Sequence, residues 1–206
     1  MFIQHLLAGN YIYFFGVVFS VTFSVCLHEY AHAITAYKMG DDTAARKGRL
    51  SLNPMIQMGP TSLIIMCLIG IAWGAVPVNP SILRRKKHGE AIVALAGPAT
   101  NLLLCVISGI VLGLMIKMNS RADVAMEILW IFCRLNGVLF LLNMLPVPPL
   151  DGYTIAEGFF PKMREFSPDT VRTVGFYAII IIIATPVGGF IWNGGELLAK
   201  IFAFSL

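Results

Sequence analysis

Residues 11–37 carry a single Asp, Glu, Lys or Arg, Glu29, in an apolar run long enough to cross a ~30 Å hydrocarbon core at 1.5 Å per residue. Such a run leaves a chain few options, because in lipid every backbone polar group must be satisfied within the helix. It is too long for a cleaved signal peptide and lacks the basic flank of one. Further apolar runs occupy 61–73, 90–116, 124–145 and 171–192. With 57% hydrophobic residues and only 13% charged, against roughly 25% in soluble domains, no stretch remains for an independent soluble domain of ~100 residues. A tethered catalytic head, a DNA-binding module and a disordered regulator are excluded. The expected fold is an all-α polytopic membrane protein made of one domain, with a core over 11–160 and a C-terminal helix and tail over 171–206. The net charge of +4 reads as membrane topology, and the partner it implies is the lipid bilayer rather than nucleic acid.

Charge sets the orientation. No Lys or Arg precedes Lys38, whereas Lys38, Arg46, Lys47 and Arg49 follow the first run closely, which places the N-terminus outside and Lys38 in the cytoplasm. The run at 61–73 is short for a span and is followed by Gly74-Ala75-Val76-Pro77-Val78-Asn79-Pro80, whose prolines and glycine favour extended backbone. A full span there would put Arg84, Arg85, Lys86 and Lys87 outside. A re-entrant hairpin over about 58–80 keeps both basic loops cytoplasmic, and its irregular backbone should line a cavity. About four full transmembrane helices are therefore expected, with the fourth run ending in a proline-broken segment, Pro146-Val147-Pro148-Pro149-Leu150-Asp151-Gly152. Residues 196–206 read as a short amphipathic helix on the outer surface. Cys26, Cys67, Cys105 and Cys133 lie in apolar runs without metal spacing and read as core residues. Arg134, inside the fourth run, either pairs with Glu127 or lines a polar cavity.

The first run contains His28-Glu29-Tyr30-Ala31-His32. Residues four apart on a helix share a face, so both imidazoles can hold one metal, with Glu29 beside them to handle a water. Three ionisable groups in a spanning helix are costly unless they pair, face a cavity or bind an ion. A third ligand is needed, and the fourth position is left to water. Asp151 follows the proline break at the cytoplasmic end of a span, and His28 and His32 lie about 15 and 9 Å from that same end. Asp41 and Asp42 sit in a basic loop and read as solvated charges; His5 and His88 read as non-ligands.

The sequence resembles the site-2 protease family of intramembrane zinc metalloproteases, in its compact branch without PDZ or CBS domains. The match rests on His28-Glu29-Tyr30-Ala31-His32, Gly97-Pro98-Ala99-Thr100-Asn101 and Asn143-Met144-Leu145-Pro146-Val147-Pro148-Pro149-Leu150-Asp151-Gly152, and covers roughly 20–160. The resemblance implies one Zn2+ per chain on His28, His32 and Asp151, with Glu29 as general base. It implies substrate positioning or oxyanion stabilisation by Asn143 and Asn101, although a structural role for these amides is an equal alternative. A transmembrane substrate must unwind before it is cut, and the segments 48–54 and 74–80 could offer strand edges to it, with Val76, Pro77, Val78 and Asn79 as the clamp. The expected partner is a single-span membrane protein, and the expected location a prokaryotic inner membrane. The alternatives are a membrane metal-binding or transport protein using the same His/Asp cluster, and a non-proteolytic membrane scaffold.

Overall fold

A computed structural model describes residues 2–204. In chain order the helices are α1 (Gln4–Leu7), α2 (Tyr11–Lys38), α3 (Thr43–Arg46), α4 (Pro54–Gln57), α5 (Gly59–Ile69), α6 (Pro80–Leu83), α7 (Gly89–Lys117), α8 (Asp123–Asn143) and α9 (Asp151–Phe159). A 3-10 turn (Pro161–Glu165), α10 (Pro168–Ala184) and α11 (Pro186–Phe204) complete the chain, and there is no strand among the described residues. Three helices, α2, α7 and α8, are long and apolar enough to cross a membrane, and the bent pair α10–α11 makes a fourth span if taken as one. The protein is a multi-pass membrane protein.

α2 and α8 share an apolar core of Val17, Val21, Val25, Cys26, Ile131 and Leu135, joined by Met58 and Met66. Small residues let the other helices approach closely. Gly137 and Gly195 face each other, so that a Cβ on Gly137 would lie 3.0 Å from the Gly195 carbonyl oxygen. This seats α11 on α8. Ala199 is fully buried with Cys105 and Cys133. Residues 196–204 are thus continuous with α11 and packed into the bundle, not an amphipathic helix on the outer surface. The reason is the stripe Gly195, Ala199, Ala203, whose small side chains bury. The run at 171–192 is also not one helix. It breaks at Thr185, which is extended (φ −119°, ψ 168°) because the Pro186 ring disfavours helical geometry in the residue before it, and the axes on either side differ by 71°. Arg134 lies over the Trp192 ring at 4.7 Å, a cation–π contact with α11, rather than against Glu127.

The hairpin expected over about 58–80 consists of α5 and the backbone that returns from it, beside α2. α5, about 16 Å long, is too short to span and ends at Gly70 in the left-handed conformation (φ +82°). Its tip meets the N-terminus: the Ile3 N–H donates to the Leu68 carbonyl (3.2 Å), and Phe2 stacks on Phe14. The chain returns as extended backbone past Ser62 and Glu29 to Asp41, beyond the C-terminus of α2. Asn53 and Asn79, each followed by proline, cap α4 and α6 by accepting the N–H groups of Met55 and Ser81. Asp41 is not a solvated charge. It is fully buried, because its two carboxylate oxygens accept backbone N–H groups from Thr43 (3.0 Å) and Asn79 (2.6 Å).

Candidate metal centre

His28, Glu29 and His32 are 8%, 8% and 7% exposed, so the helical spacing does turn them to a common interior. The two imidazoles meet edge to face, with Nε2 atoms 2.9 Å apart. Asp151, the first residue of α9, brings Oδ2 to 3.0 Å from His28 Nε2 and Oδ1 to 3.4 Å from His32 Nε2. All three ligand atoms lie within 4.8 Å of one another, the one such cluster among the described residues.

Hydrogen bonds on the far side of each ring fix which nitrogen points inward. His28 Nδ1–H donates to Asn101 Oδ1 (2.6 Å), and His32 Nδ1–H to the Val93 carbonyl (2.7 Å). Both Nε2 atoms then present lone pairs toward each other and toward a carboxylate. Apart from the His28 Nε2 atom facing it, buried Asp151 Oδ2 has no hydrogen-bond partner among the described residues. Lone pairs at 2.9–3.4 Å with no proton between them repel, and a cation at their centre removes the conflict. Tetrahedral zinc with bonds near 2.1 Å separates its ligand atoms by about 3.4 Å. His28, His32 and Asp151 therefore fit a zinc ion.

Three helices hold these side chains in place. Gly97 of α7 lies directly beneath the rings: a Cβ there would fall 2.5 Å from His28 Nε2 and closer still to His32 Nε2. One turn before Gly97 on the same helix, Val93 offers its carbonyl to His32. Asp151 is set by the start of α9, where Gly152 packs on the Met144 and Leu145 carbonyls. The far end of α9 is held to α7 by His88 Nδ1–H donating to the Gly158 carbonyl (3.0 Å). Glu90 of α7 adds ion pairs with Arg84 (3.0 Å) and Arg164 (2.9 Å). On the other side of the site, Gly74 is pressed against Glu29, its Cβ position 2.6 Å from Oε1.

The other expected site residues are placed as follows. Asn101 is fully buried, with Oδ1 on His28 and Nδ2 donating to Asn136 Oδ1 (3.0 Å). It stands behind the ligand with both ends of its amide engaged, which is the structural one of the two roles expected for it. Asn136, absent from the sequence reading, extends this chain to the Phe132 carbonyl (2.9 Å). Asn143 is half-buried and donates to the Leu139 carbonyl (3.0 Å). Asn79 leaves the clamp, since its N–H is taken by Asp41 and its side chain by Ser81. Val76, Pro77 and Val78 follow Gly74 in a segment with no helix, turn or bend, and form no strand among the described residues. The 48–54 edge is occupied: buried Gln57 donates from Nε2 to the Arg49 and Ser51 carbonyls.

Comparison with known proteins finds relatives over most of the chain. It is 34% identical over 198 residues to "Putative zinc metalloprotease YwhC" of Bacillus subtilis (strain 168), covering 91% of this chain and 90% of YwhC. Rip2 of Mycolicibacterium smegmatis (strain ATCC 700084 / mc(2)155), with the same description, is 34% identical over 176 residues, 79% of this chain and 64% of Rip2. Rip2 of Mycobacterium tuberculosis (strain ATCC 25618 / H37Rv) is 30% identical over 193 residues, 82% of this chain and 67% of Rip2. No protein-family model and no solved structure matches the chain.

Proposed function

The chain belongs to the family of zinc metalloproteases that includes YwhC and Rip2, and from that premise we propose that it is an intramembrane protease of the site-2 type. It cuts a single-span, membrane-anchored protein near the cytoplasmic side of a prokaryotic inner membrane, with its own N-terminus outside. The observation that carries this reading is the convergence of His28, His32 and Asp151 beside Glu29 within helices long enough to span a bilayer. The bacterial sources of the relatives support the location.

His28, His32 and Asp151 would hold the zinc, which when bound acidifies a water and polarises the scissile carbonyl. Glu29 takes the proton of the attacking water and delivers it to the leaving amine. Asn101 and the Val93 carbonyl keep each histidine in the tautomer that ligates through Nε2. Asn143, with one amide proton engaged on Leu139, is the amide proposed to contact the substrate carbonyl. Gly74 to Val78 offer the edge on which an unwound substrate lies.

The test is zinc content and cleavage of a helix-destabilised transmembrane substrate by detergent-purified protein. Wild type should hold one zinc per chain and cleave. Asp151→Ala should lose both, and Glu29→Gln should keep zinc while cleavage falls by about 10²–10⁴-fold. Zinc retained without Asp151 overturns the ligand set, and cleavage retained by Glu29→Gln overturns the mechanism.

A further inference from the structure

Among the described residues, hydrogen bonds hold the backbone over Glu29 at two points. Ser62, fully buried in α5, accepts the Trp73 N–H (2.9 Å) and donates to the Trp73 carbonyl (2.8 Å). Both backbone polar groups of Trp73 are thereby used by one hydroxyl. Six residues on, the Asn79 N–H is used by Asp41 Oδ2. Between these anchors, among the described residues, no hydrogen bond engages the backbone of Gly74 to Val78. From Ile71 to Val76 exposure alternates, with Ile71, Trp73 and Ala75 exposed and Ala72, Gly74 and Val76 half-buried, which is the period of an extended strand; the alternation shifts by one residue at Pro77. Gly74 is the residue that meets Glu29.

We infer that Asp41 and Ser62 are positioning residues that fix the register of the 74–78 edge against Glu29, and through it the peptide bond that is cut. The inference rests on the protease reading and adds to it the source of cleavage-site selection. Asp41 stands three residues past the end of α2, the helix that carries His28, Glu29 and His32. Its carboxylate hooks the edge to the same rigid element as the catalytic group. Ser62 fixes the other end one residue before Gly74. A strand added to this edge takes its position from it. A slip of one residue moves the substrate by about 3.3 Å and turns every side chain to the opposite face. Two backbone donors converge on Asp41, so two acceptor oxygens are needed, and an asparagine supplies only one.

The experiment compares wild type, Asp41→Asn and Ser62→Ala, reading zinc content, kcat/KM and the termini of both products by mass spectrometry. Each variant should keep its zinc, lose roughly tenfold or more in kcat/KM, the scale of one buried hydrogen bond to a charged group for Asp41 and of two neutral ones for Ser62, and cut at neighbouring bonds as well as the wild-type bond. An unchanged cut position and rate in both variants overturns the inference. Loss of zinc together with cleavage in both also overturns it, since the anchors would then serve the metal site. If wild type cleaves no transmembrane substrate, the protease reading falls, and alkylation of Val76→Cys decides the anchors separately. That cysteine should react several-fold faster when Asp41→Asn is added, and an equal rate refutes anchoring.

Discussion

Replacing Gly97 with alanine puts a methyl group where the ligand imidazoles now lie. Its Cβ would sit 2.5 Å from His28 Nε2 and 2.6 Å from His28 Cε1, whereas ordinary contact begins at 3.4 Å. The His28 ring must retreat by about 0.9 Å, several times the ~0.2 Å that metal–ligand distances tolerate. Neither ring is free to do so. His28 is tied to Asn101 at 2.6 Å and His32 to the Val93 carbonyl at 2.7 Å, and both acceptors belong to α7, the helix that carries the new methyl. Either a ligand hydrogen bond breaks or α7 moves away from α2.

Over-packing costs about 1–3 kcal/mol, and loss of an outer partner of a ligand weakens metal binding by roughly 10–100-fold. At about 1.4 kcal/mol per decade the two routes agree on a 10–100-fold loss of zinc affinity. The assay is chelator competition in detergent, with Gly189→Ala as control because nothing lies within 4 Å of that position. Cleavage by Gly97→Ala should recover in part as zinc is added. A zinc affinity within twofold of wild type would refute the argument, because the rings would then not be seated on α7.

Two further outcomes follow from the polar groups around the site. Asn136→Leu leaves the Asn101 amide without its acceptor and should weaken zinc by about 10–100-fold, although Asn136 touches no ligand; chelator competition measures it, and an unchanged affinity would detach Asn136 from the centre. Burial alone would raise the Asp41 carboxyl, but the Asn79 N–H, Thr43 and the Arg46 charge bring it below the ordinary carboxylate value. A carboxylate depressed on folding contributes stability that is fully present above the unfolded value, near 3.9, and is lost as pH falls through the folded one. The difference in thermal stability between wild type and Asp41→Asn should therefore be flat from about pH 5 to 8 and shrink only below about pH 4. A collapse between pH 7 and 6 would assign the tether to another group.

The parts of this architecture that obey a period were legible from residues alone. The spans at 11–37, 90–116 and 124–145 correspond to α2, α7 and α8 within one or two residues, because hydropathy over a bilayer's thickness admits one backbone solution. His28 and His32 share a face because four residues is close to one turn. Contacts made at a distance in sequence were not legible. Asp41 reads as a loop charge until Asn79 is brought to it, although Gly40-Asp41-Asp42-Thr43 after a helix end is the pattern of a side chain turning back on its own backbone, and that could have flagged it. Asn136 carried a signal that was passed over: the cost of an unpaired amide in an apolar helix, applied to Asn101 and Asn143, applies equally to it. The break at Thr185 follows from Pro186, but that α11 then packs inward depends on Gly137 meeting Gly195, a pairing no local pattern contains.

Glycine recurs at this centre for a reason tied to the chemistry. A hydrolytic site inside an apolar bundle must keep its polar atoms close to one another, since each one left facing hydrocarbon is costly. Side chains from α2 alone cannot surround a metal. The remaining partners come from α7, α9 and the returning hairpin, and each must bring its backbone to within a side chain's thickness. Gly97, Gly152 and Gly74 are those three approaches, made respectively to the imidazoles, to the end of α8 and to Glu29. Each contact leaves no room for a methyl group. The polar chains that start at the ligands all end on backbone carbonyls, His32 on Val93 and His28 through Asn101 and Asn136 on Phe132. The ring protons are therefore answered within the protein. What remains is the set of lone pairs on two Nε2 atoms and one carboxylate, and a metal cation at their centre satisfies those together.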